Sequence, residues 1–587
     1  MILKARSTLY FVLLNLAITV PFAALLNIWI DEAYTLDTTG LGLAHAWVEA
    51  IRFENQPPLY FFLLALWRQL NDSIFFARLF SCLCIALTIY CAPLLSRRYL
   101  PKLNSCWLTL SLALHPYAIW AALEIRTYAL GILLSELLLI CFFDAYLKTA
   151  LALNIQSLNI QSLNAQPAAR QPAARQPVAR QSMLNRAGIV YGLVAIAALY
   201  TNYMLGAILI ANWVTLLLLK RRSEILSNTV VLAVVGLLFA PMLMNLASQL
   251  ASQTSALGAP SNSFLGTLRA VMGRSLLYVL PSEFSGWPAL WTGIRYGVLA
   301  LGIGLVMSRW RWFKEEQMAI ASLFLTTLFT LVFVLDLTDH ATGVERYGYP
   351  LFLLTLLFVF SLLSLLSFRQ RQRSLCIWAI VTYCFCAASL LQTYSPLAKG
   401  GGDWRRVATY LETYEQANQP IAVFSAEGVL PFKYHYKGIN PILALPPLPT
   451  KGRYDLRNFV LKDEAQVEAA IRGIRQSPGS AKVTVQLPEL PQQFWLIEAP
   501  AHMVVRGSEK RCEIWQIDLN CQVLDGFVAR YYDVTEHQSF DDANVKNCAE
   551  NPSRFPAQPL VRSFPVRSFL MELFLMASFP AQLLNRH

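Results

Sequence analysis

Eleven stretches of this chain are almost wholly apolar and close to the length that crosses a bilayer as a helix: 8–29, 73–96, 104–122, 127–147, 187–203, 204–219, 226–246, 289–308, 317–337, 349–367 and 374–394. A crossing helix needs about 20 such residues; 187–203 and 204–219 are short and nearly fused. Composition agrees, with 56% apolar and 14% charged residues, against ~45–50% and ~25% in soluble chains. A soluble globular enzyme and a disordered chain are both excluded. The net charge of +12 would suggest nucleic acid on a soluble protein. Here it serves first to orient the chain, because Lys and Arg gather on the cytoplasmic side of membrane proteins.

A twelfth apolar run, 57–70, has 14 residues, so as a helix it reaches only ~21 Å of a ~30 Å hydrocarbon layer. If it does not cross and the N-terminus is cytoplasmic, every inside boundary is basic: Lys4/Arg6, Arg97/Arg98/Lys102, Lys148 with Arg170, Arg175, Arg180 and Arg186, Lys220/Arg221/Arg222, Arg309/Arg311/Lys314, and Arg369/Arg371/Arg373. The first outside loop is then acidic, with Asp31, Glu32, Asp37, Glu49 and Glu54 against Arg52. Counting 57–70 as a crossing inverts this pattern, so it reads as an interfacial helix on the outer face. The expected fold is an α-helical polytopic membrane protein with about eleven crossings, a membrane domain over 1–394, and an extracytoplasmic α/β domain over 395–552. Within the membrane domain, 30–72 is the acidic outer loop and 247–288 a second outer loop. Lys4 and Arg6 precede a run long enough to span, which reads as a retained first helix rather than a cleaved signal.

Residues 149–186 hold two NIQSL units and then QPAAR, QPAAR and QPVAR, a disordered cytoplasmic linker rather than a solenoid. The terminal domain changes texture. Asp403 is placed to cap a helix over Trp404–Leu411; Ile421–Ser425, Lys482–Gln486, Gln493–Ile497 and Cys512–Ile517 read as strands, and Glu427–Tyr434 as helix. Cys512 and Cys521 are near enough in sequence to pair in an oxidising compartment; pairing and free thiols both stay open. Residues 553–587 form a tail not counted as a span.

Candidate chemistry gathers at the outer ends. Asp31 and Glu32 follow the first span directly, where two acids are more often the solvated start of a loop than a site. The loop they open runs to Asn55-Gln56-Pro57-Pro58, where two fixed φ angles set a rigid corner. Glu124 and Arg126 with Tyr128 follow the third span, Asn202 and Tyr203 lie at the turn between the fifth and sixth, and Glu345, Arg346 and Tyr347 precede the tenth. Intramolecular pairs, Glu124 with Arg126 and Glu345 with Arg346, are the bland reading. Ionisable groups near membrane depth are functional candidates by default, and under this topology all of these face one side.

In order along the chain, DEAYTLD, NQPPLYFFLLALW, FFARLFSCL, EIRTYAL, YTNY, ERYGYP and GDWRRVATYL resemble the GT-C membrane glycosyltransferases, most nearly the branch of protein O-mannosyltransferases and lipid A aminoarabinose transferases. The motifs cover residues 1 to about 410. Gln56 and Asn202 stand where that family often has His. The resemblance implies transfer of a sugar from a polyprenyl-phosphate donor to an acceptor hydroxyl of a glycan, lipid or protein, on the outer face of a plasma (inner) membrane. It implies Asp31 as the base that takes the acceptor's proton. Glu32 positions the acceptor or a divalent ion, and Arg126 and Arg346 face the leaving phosphate. Asn55, Gln56, Glu124, Tyr128, Asn202, Tyr203, Glu345 and Tyr347 line the substrate pocket. Metal dependence stays open, with Asp31 and Glu32 as the ligands if a metal binds. The membrane lipid is the other expected partner; nucleic acid is not one. A transporter or flippase of lipid-linked sugars is the competing class, but no inverted repeat or mid-span acid pair is visible. A membrane-anchored binding protein is the third.

Overall fold

The computed structural model describes residues 2–148, 186–254, 263–281, 288–309, 311, 313–337, 347–393, 403–447, 456–472, 491–498, 503–506, 509–514, 517–539 and 544–550. The linker over 149–185, the tail, Glu345, Arg346 and the expected strand Lys482–Gln486 lie outside them. The described chain is mostly helical. The membrane domain runs through α1 (Ile2–Leu25), α2 (Ile30–Gly40), α3 (Leu43–Arg52), α4 (Leu59–Arg68), α5 (Ile74–Tyr99), α6 (Cys106–Leu114), α7 (Pro116–Leu123), α8 (Tyr128–Phe142), α9 (Arg186–Thr201), α10 (Gly206–Leu218), α11 (Arg222–Thr254), α12 (Phe264–Val279), α13 (Pro288–Arg309), α14 (Glu315–Leu337), α15 (Pro350–Leu363) and α16 (Phe368–Thr393).

Each of the apolar runs carries helix, as it must where backbone groups have no water to bond. Among the described residues six helices are long and apolar enough to cross a membrane, and α6 with α7 makes a seventh if the bent pair counts as one span. The runs 187–203, 204–219 and 349–367 form shorter apolar helices, α9, Tyr203–Leu218 and α15, and 374–394 lies on the 26-residue α16 up to Thr393. This is a multi-pass membrane protein with a small sheet-containing domain at its C-terminal end. Helix α4 has 10 residues, too short to cross, and it buries Tyr60, Phe61, Leu64 and Ala65.

Three expectations need correcting. The run 104–122 is not one straight helix but is bent by 54° between α6 and α7. Pro116 opens α7 and disfavours helix at His115. His115 is extended, its Nδ1 accepts from the Tyr117 N–H at 3.1 Å, and its Nε2 pairs with the Tyr278 carbonyl at 2.9 Å. The stretch 247–288 is not simply a loop. α11 continues to Thr254, and α12 turns one face inward through Thr267, Val271, Arg274, Ser275 and Tyr278; Ser263 caps its start by accepting from Gly266 N at 3.2 Å. The acidic segment 31–56 is mostly helix. Asp31 and Glu32 fall in the first turn of α2, where acids suit the helix dipole. Gly42, at φ 97°, supplies the left-handed break before α3.

The C-terminal domain adds α17 (Trp404–Tyr414), α18 (Val429–His435), α19 (Glu464–Ile471) and α20 (Cys521–Tyr531). Its strands are β1 (Ile421–Phe424), β2 (Ile442–Leu445), β3 (Gln493–Glu498), β4 (Met503–Arg506), β5 (Glu509–Ile514), β6 (Ile517–Asp518), β7 (Tyr532–Ser539) and β8 (Asn544–Glu550). Five of them form a mixed sheet in the order β2-β1-β3-β8-β7, with β1 parallel to both β2 and β3 and the other pairs antiparallel. α17 packs on one face through Trp404, Val407 and Leu411; α19 and α20 cover the other through Val467, Ile471, Leu524 and Phe527. Asp403 precedes α17 as expected, but its side chain does not cap it. It pairs with Arg406 and accepts from Asn27 Nδ2 at 3.1 Å instead. Cys521 is disulfide-bonded and Cys548 is a buried free thiol.

Candidate active site

The site is built where α1 ends. A helix leaves its last carbonyls without intrahelical donors, and here Arg78 of α5 supplies them. Its Nη1 donates to Ala23 O at 3.2 Å and Leu26 O at 2.6 Å, and its Nη2 to Asn27 O at 2.6 Å. The same guanidinium grips Glu32, with Nη2 to Oε2 at 3.0 Å and Nε to Oε1 at 3.3 Å, and both side chains are 0% exposed. Glu32 also accepts from Ile125 N at 2.9 Å and from Trp29 N at 3.4 Å. One carboxylate thus joins the end of α1, the start of α2, α5 and the α7–α8 connection.

A second knot lies beside it. Arg126 Nη1 donates to Glu54 Oε2 and Thr35 Oγ1, each at 2.8 Å, and to the Asp31 carbonyl at 3.2 Å. Burial pushes the Glu54 carboxyl up, against the pull of Arg126 next to it. Glu124 accepts from Trp29 Nε1 at 2.7 Å. Asp31 sits in the first turn of α2 between these knots. Its residue is only partly exposed, with Oδ2 shielded from solvent, and its charge reaches Tyr34, Glu54 and Arg126. The structure therefore brings Asp31, Glu32, Glu124 and Arg126 together.

Asn55 takes φ 54°, a conformation Asn tolerates. The Asn55 Oδ1, Gln56 Oε1 and Tyr60 hydroxyl oxygens are buried and have no hydrogen-bond partner among the described residues, and Tyr60 lies in the fields of Arg126, Glu32 and Glu54. Buried polar atoms are rarely left so, and each asks for an explanation. Tyr128 begins an aromatic wall. It stacks on Trp120 at 4.8 Å, Trp120 on Tyr117 at 5.2 Å, and the Arg274 guanidinium lies 5.1 Å from the Tyr117 ring centre and 5.5 Å from that of Tyr278. Tyr347 packs at the edge of the bundle core, two residues before Tyr349, whose ring meets that of Tyr128 edge-on at 6.3 Å. Asn202 and Tyr203 have local roles: Asn202 Oδ1 accepts from Met204 N at 2.9 Å, and Tyr203 packs edge-on against Phe239 at 6.0 Å. Glu345 and Arg346 are outside the described residues. Among the described residues no group of three or more His, Cys, Asp or Glu is placed to hold a metal ion, and Glu32 does not fit that task, since both its oxygens already face donors.

Sequence reasoning gave no role to Arg78, Tyr60 or Arg274, and treated Glu54 only as loop charge. Arg78 had a signal: one Arg within an otherwise apolar run is costly and has to be paired. Arg274 carries no such signal, because the stretch around it reads as loop.

No protein-family model matches the sequence, and no curated protein matches it at a significant level. Among solved structures the chain is similar to ArnT from Cupriavidus metallidurans in the apo state, at 14% identity and a TM-score of 0.47, covering 92% of this chain and 97% of that one. It is similar to the same ArnT bound to undecaprenyl phosphate, at 12% identity and a TM-score of 0.45, with 92% and 97% coverage. It is also similar to the Archaeoglobus fulgidus oligosaccharyltransferase tethered with an acceptor peptide, at 11% identity and a TM-score of 0.45, covering 94% of this chain and 74% of that one. At such identities and scores the functional argument rests on the chain's own residues.

Proposed function

We propose that the protein is a membrane glycosyltransferase that moves a sugar from a polyprenyl-phosphate donor to an acceptor hydroxyl, with inversion, on the extracytoplasmic side of a plasma membrane. The observation that carries the reading is the placement of Asp31. Its carbonyl is held by Arg126 and the next side chain by Arg78, so a carboxylate is aimed from a rigid turn at the end of the first span. In the reaction the acceptor oxygen attacks the sugar C1, its proton passes to the Asp31 carboxylate, and the bond from C1 to the phosphate oxygen breaks. The departing phosphate needs cations. Arg126 shares its charge with Glu54, so we assign it to shaping the site, and Arg274, framed by Tyr117 and Tyr278, joins Arg346 as a candidate for the phosphate. Glu32 is assigned to anchoring α2. The oxygens of Asn55, Gln56 and Tyr60, without partners among the described residues, are the groups to meet sugar or acceptor hydroxyls, with Glu124, Tyr128 and Tyr347 around them. Asn202, Tyr203 and Glu345 remain the outer members of the proposed pocket.

The test is Asp31→Asn in a deletion strain, read by mass analysis of surface glycans. The variant is expected to reach wild-type abundance with no glycan product. Full product would remove Asp31 as the base. A purified protein that moves lipid-linked sugar across vesicles but never consumes it would favour the transporter reading.

A further inference from the structure

Helix α12 carries Arg274 and ends against side chains from two other parts of the bundle. The last carbonyls of a helix have no donors within it. At this end Leu280 N donates to Leu276 O at 2.8 Å. Two more carbonyls are served from outside: His115 Nε2 donates to Tyr278 O at 2.9 Å, and Trp378 Nε1 of α16 donates to Val279 O at 2.9 Å. His115 sits at the bend between α6 and α7 and is fully buried. Its other ring nitrogen, Nδ1, accepts from the Tyr117 N–H at 3.1 Å. A carbonyl cannot donate and an amide N–H cannot accept, so these partners assign the ring proton to Nε2. The bend is what frees the groups. In an unbroken helix the Tyr117 N–H would bond the Ala113 carbonyl; here that carbonyl takes Asn15 Nδ2 at 2.9 Å instead. One imidazole therefore holds the N–H of Tyr117 and the carbonyl of Tyr278, and the rings of these same two residues frame the Arg274 guanidinium at 5.1 and 5.5 Å. Phe352 of α15 closes the group, its ring 4.8 Å from that of His115, 5.2 Å from Tyr117 and 5.3 Å from Tyr278.

We propose that His115 and Trp378 are positioning residues for Arg274: by holding the end of α12 they set the guanidinium against Tyr117 and keep it ordered for the donor phosphate. The proposal rests on the transfer reading above, in which Arg274 is a candidate for that phosphate. Its physical basis is preorganisation. A loose guanidinium binds an anion more weakly than one already held, because its ordering is then charged against binding. Here the ordering comes beforehand, from two tyrosine faces that attract the cation and whose backbones His115 fixes. Tyr278 follows Arg274 by one helical turn, about 6 Å along α12, so a shift of the helix end reaches the guanidinium directly.

The experiment measures how tightly the purified full-length protein in detergent binds a polyprenyl monophosphate and, as control, the polyprenyl alcohol of equal length. Asn and Gln divide the two tasks of the imidazole. Asn places an oxygen near Nδ1 and keeps the cap on α7 but does not reach Tyr278 O, whereas Gln places an amide nitrogen near Nε2 and keeps the bond to α12. His115→Asn is expected to weaken the phosphate about ten-fold, the loss of one well-placed hydrogen bond, and to leave the alcohol unchanged. His115→Gln is expected to bind the phosphate as wild type does. Trp378→Phe, which frees Val279 O but keeps a ring against Phe360, is expected to act in the same direction as His115→Asn. On an Arg274→Gln background His115→Asn should add nothing, because both act through one guanidinium. Wild-type binding of both ligands by His115→Asn overturns the proposal, as does equal weakening of phosphate and alcohol, failure of Gln to rescue, or additive effects with Arg274→Gln. If His115→Asn does not accumulate, Trp378→Phe carries the same comparison, and unchanged phosphate binding there overturns the proposal as well. Asp31→Asn keeps the two claims apart: full glycan product there removes the transfer reading, while the binding comparison still decides whether His115 directs Arg274.

Discussion

Replacing Glu32 by Gln decides whether this carboxylate anchors or reacts. In the wild type Oε1 accepts from Arg78 Nε and Ile125 N, and Oε2 from Arg78 Nη2 and Trp29 N. Gln keeps one oxygen. Its NH2 takes the place of the other and faces two N–H donors that it cannot satisfy. Breaking a buried pair by removing one charge costs about 3–5 kcal/mol. Arg78 retains its three bonds to the carbonyls of Ala23, Leu26 and Asn27, which puts the expected loss near the lower end, about 3 kcal/mol. That is ~150-fold in an equilibrium and a large share of the ~5–15 kcal/mol that holds a typical protein folded. The assay is thermal unfolding in detergent followed by intrinsic tryptophan fluorescence, together with the yield of monodisperse protein. Glu32→Gln is expected to unfold at a clearly lower temperature and in lower yield than Asp31→Asn, which leaves the buried Glu32–Arg78 pair intact. A Glu32→Gln protein as abundant and heat-resistant as wild type, yet inactive, would refute the anchoring argument and return Glu32 to the chemistry.

Two further outcomes follow from contacts at a distance from Asp31. A Cβ added at Gly131 would collide with Tyr349 Cε2, against a ring that is fully buried, so Gly131→Ala should cost about 1–3 kcal/mol and alter the near-ultraviolet circular dichroism of the Tyr128–Trp120 stack. Burial, with Arg405, Arg78 and Lys437 nearby, lowers the His435 imidazole to about 4. A depressed histidine stabilises the folded state above its ordinary value near 6.5 and loses that contribution as pH falls from about 6.5 to 4, worth at most about 3 kcal/mol. Unfolding temperatures over this window should flatten in His435→Gln.

Much of the membrane domain was legible because apolar length and loop charge are strong signals. The runs at 73–96 and 317–337 return as α5 and α14 with ends moved by only a few residues. What was missed came from tertiary context. A window average passes over the single His115-Pro116 step that bends a span. The stretch 247–288 carries Arg269 and Arg274, which lowered its apolar signal, yet Val271 and Tyr278 face the core and Arg274 is sheltered by tyrosine rings. The cluster of Asp31, Glu32, Glu124 and Arg126 was anticipated from the ends of the spans, but not its wiring. Partner choice is decided by three-dimensional proximity: Glu124 meets Trp29 rather than Arg126, and Arg126 takes Glu54 from 72 residues away. The packing of α18 on α2 had no local signal at all, since nothing in Val429–His435 marks it as facing a membrane helix.

Two buried carboxylate–guanidinium pairs beside a bilayer are hard to explain as a source of stability, because well-packed apolar side chains often do as well or better. They make sense as direction. Arg126 holds the Asp31 carbonyl and Arg78 holds the neighbouring Glu32 side chain, so the turn that carries Asp31 is fixed from two helices. If that is their purpose, stability and activity should separate in the double replacement Glu32→Leu with Arg78→Met. Removing both charges takes away the uncompensated guanidinium that Glu32→Leu alone would leave, so the double variant should be more stable than Glu32→Leu by about 2 kcal/mol or more, read as a coupling in a double-mutant cycle. Some loss against wild type should persist, since the carbonyls of Ala23, Leu26 and Asn27 lose their donor. Glycan product should nevertheless stay absent, because α2 would be packed but no longer aimed. A double variant that recovered stability and transfer together would mean that the pair serves packing alone, and that Asp31 needs no such frame.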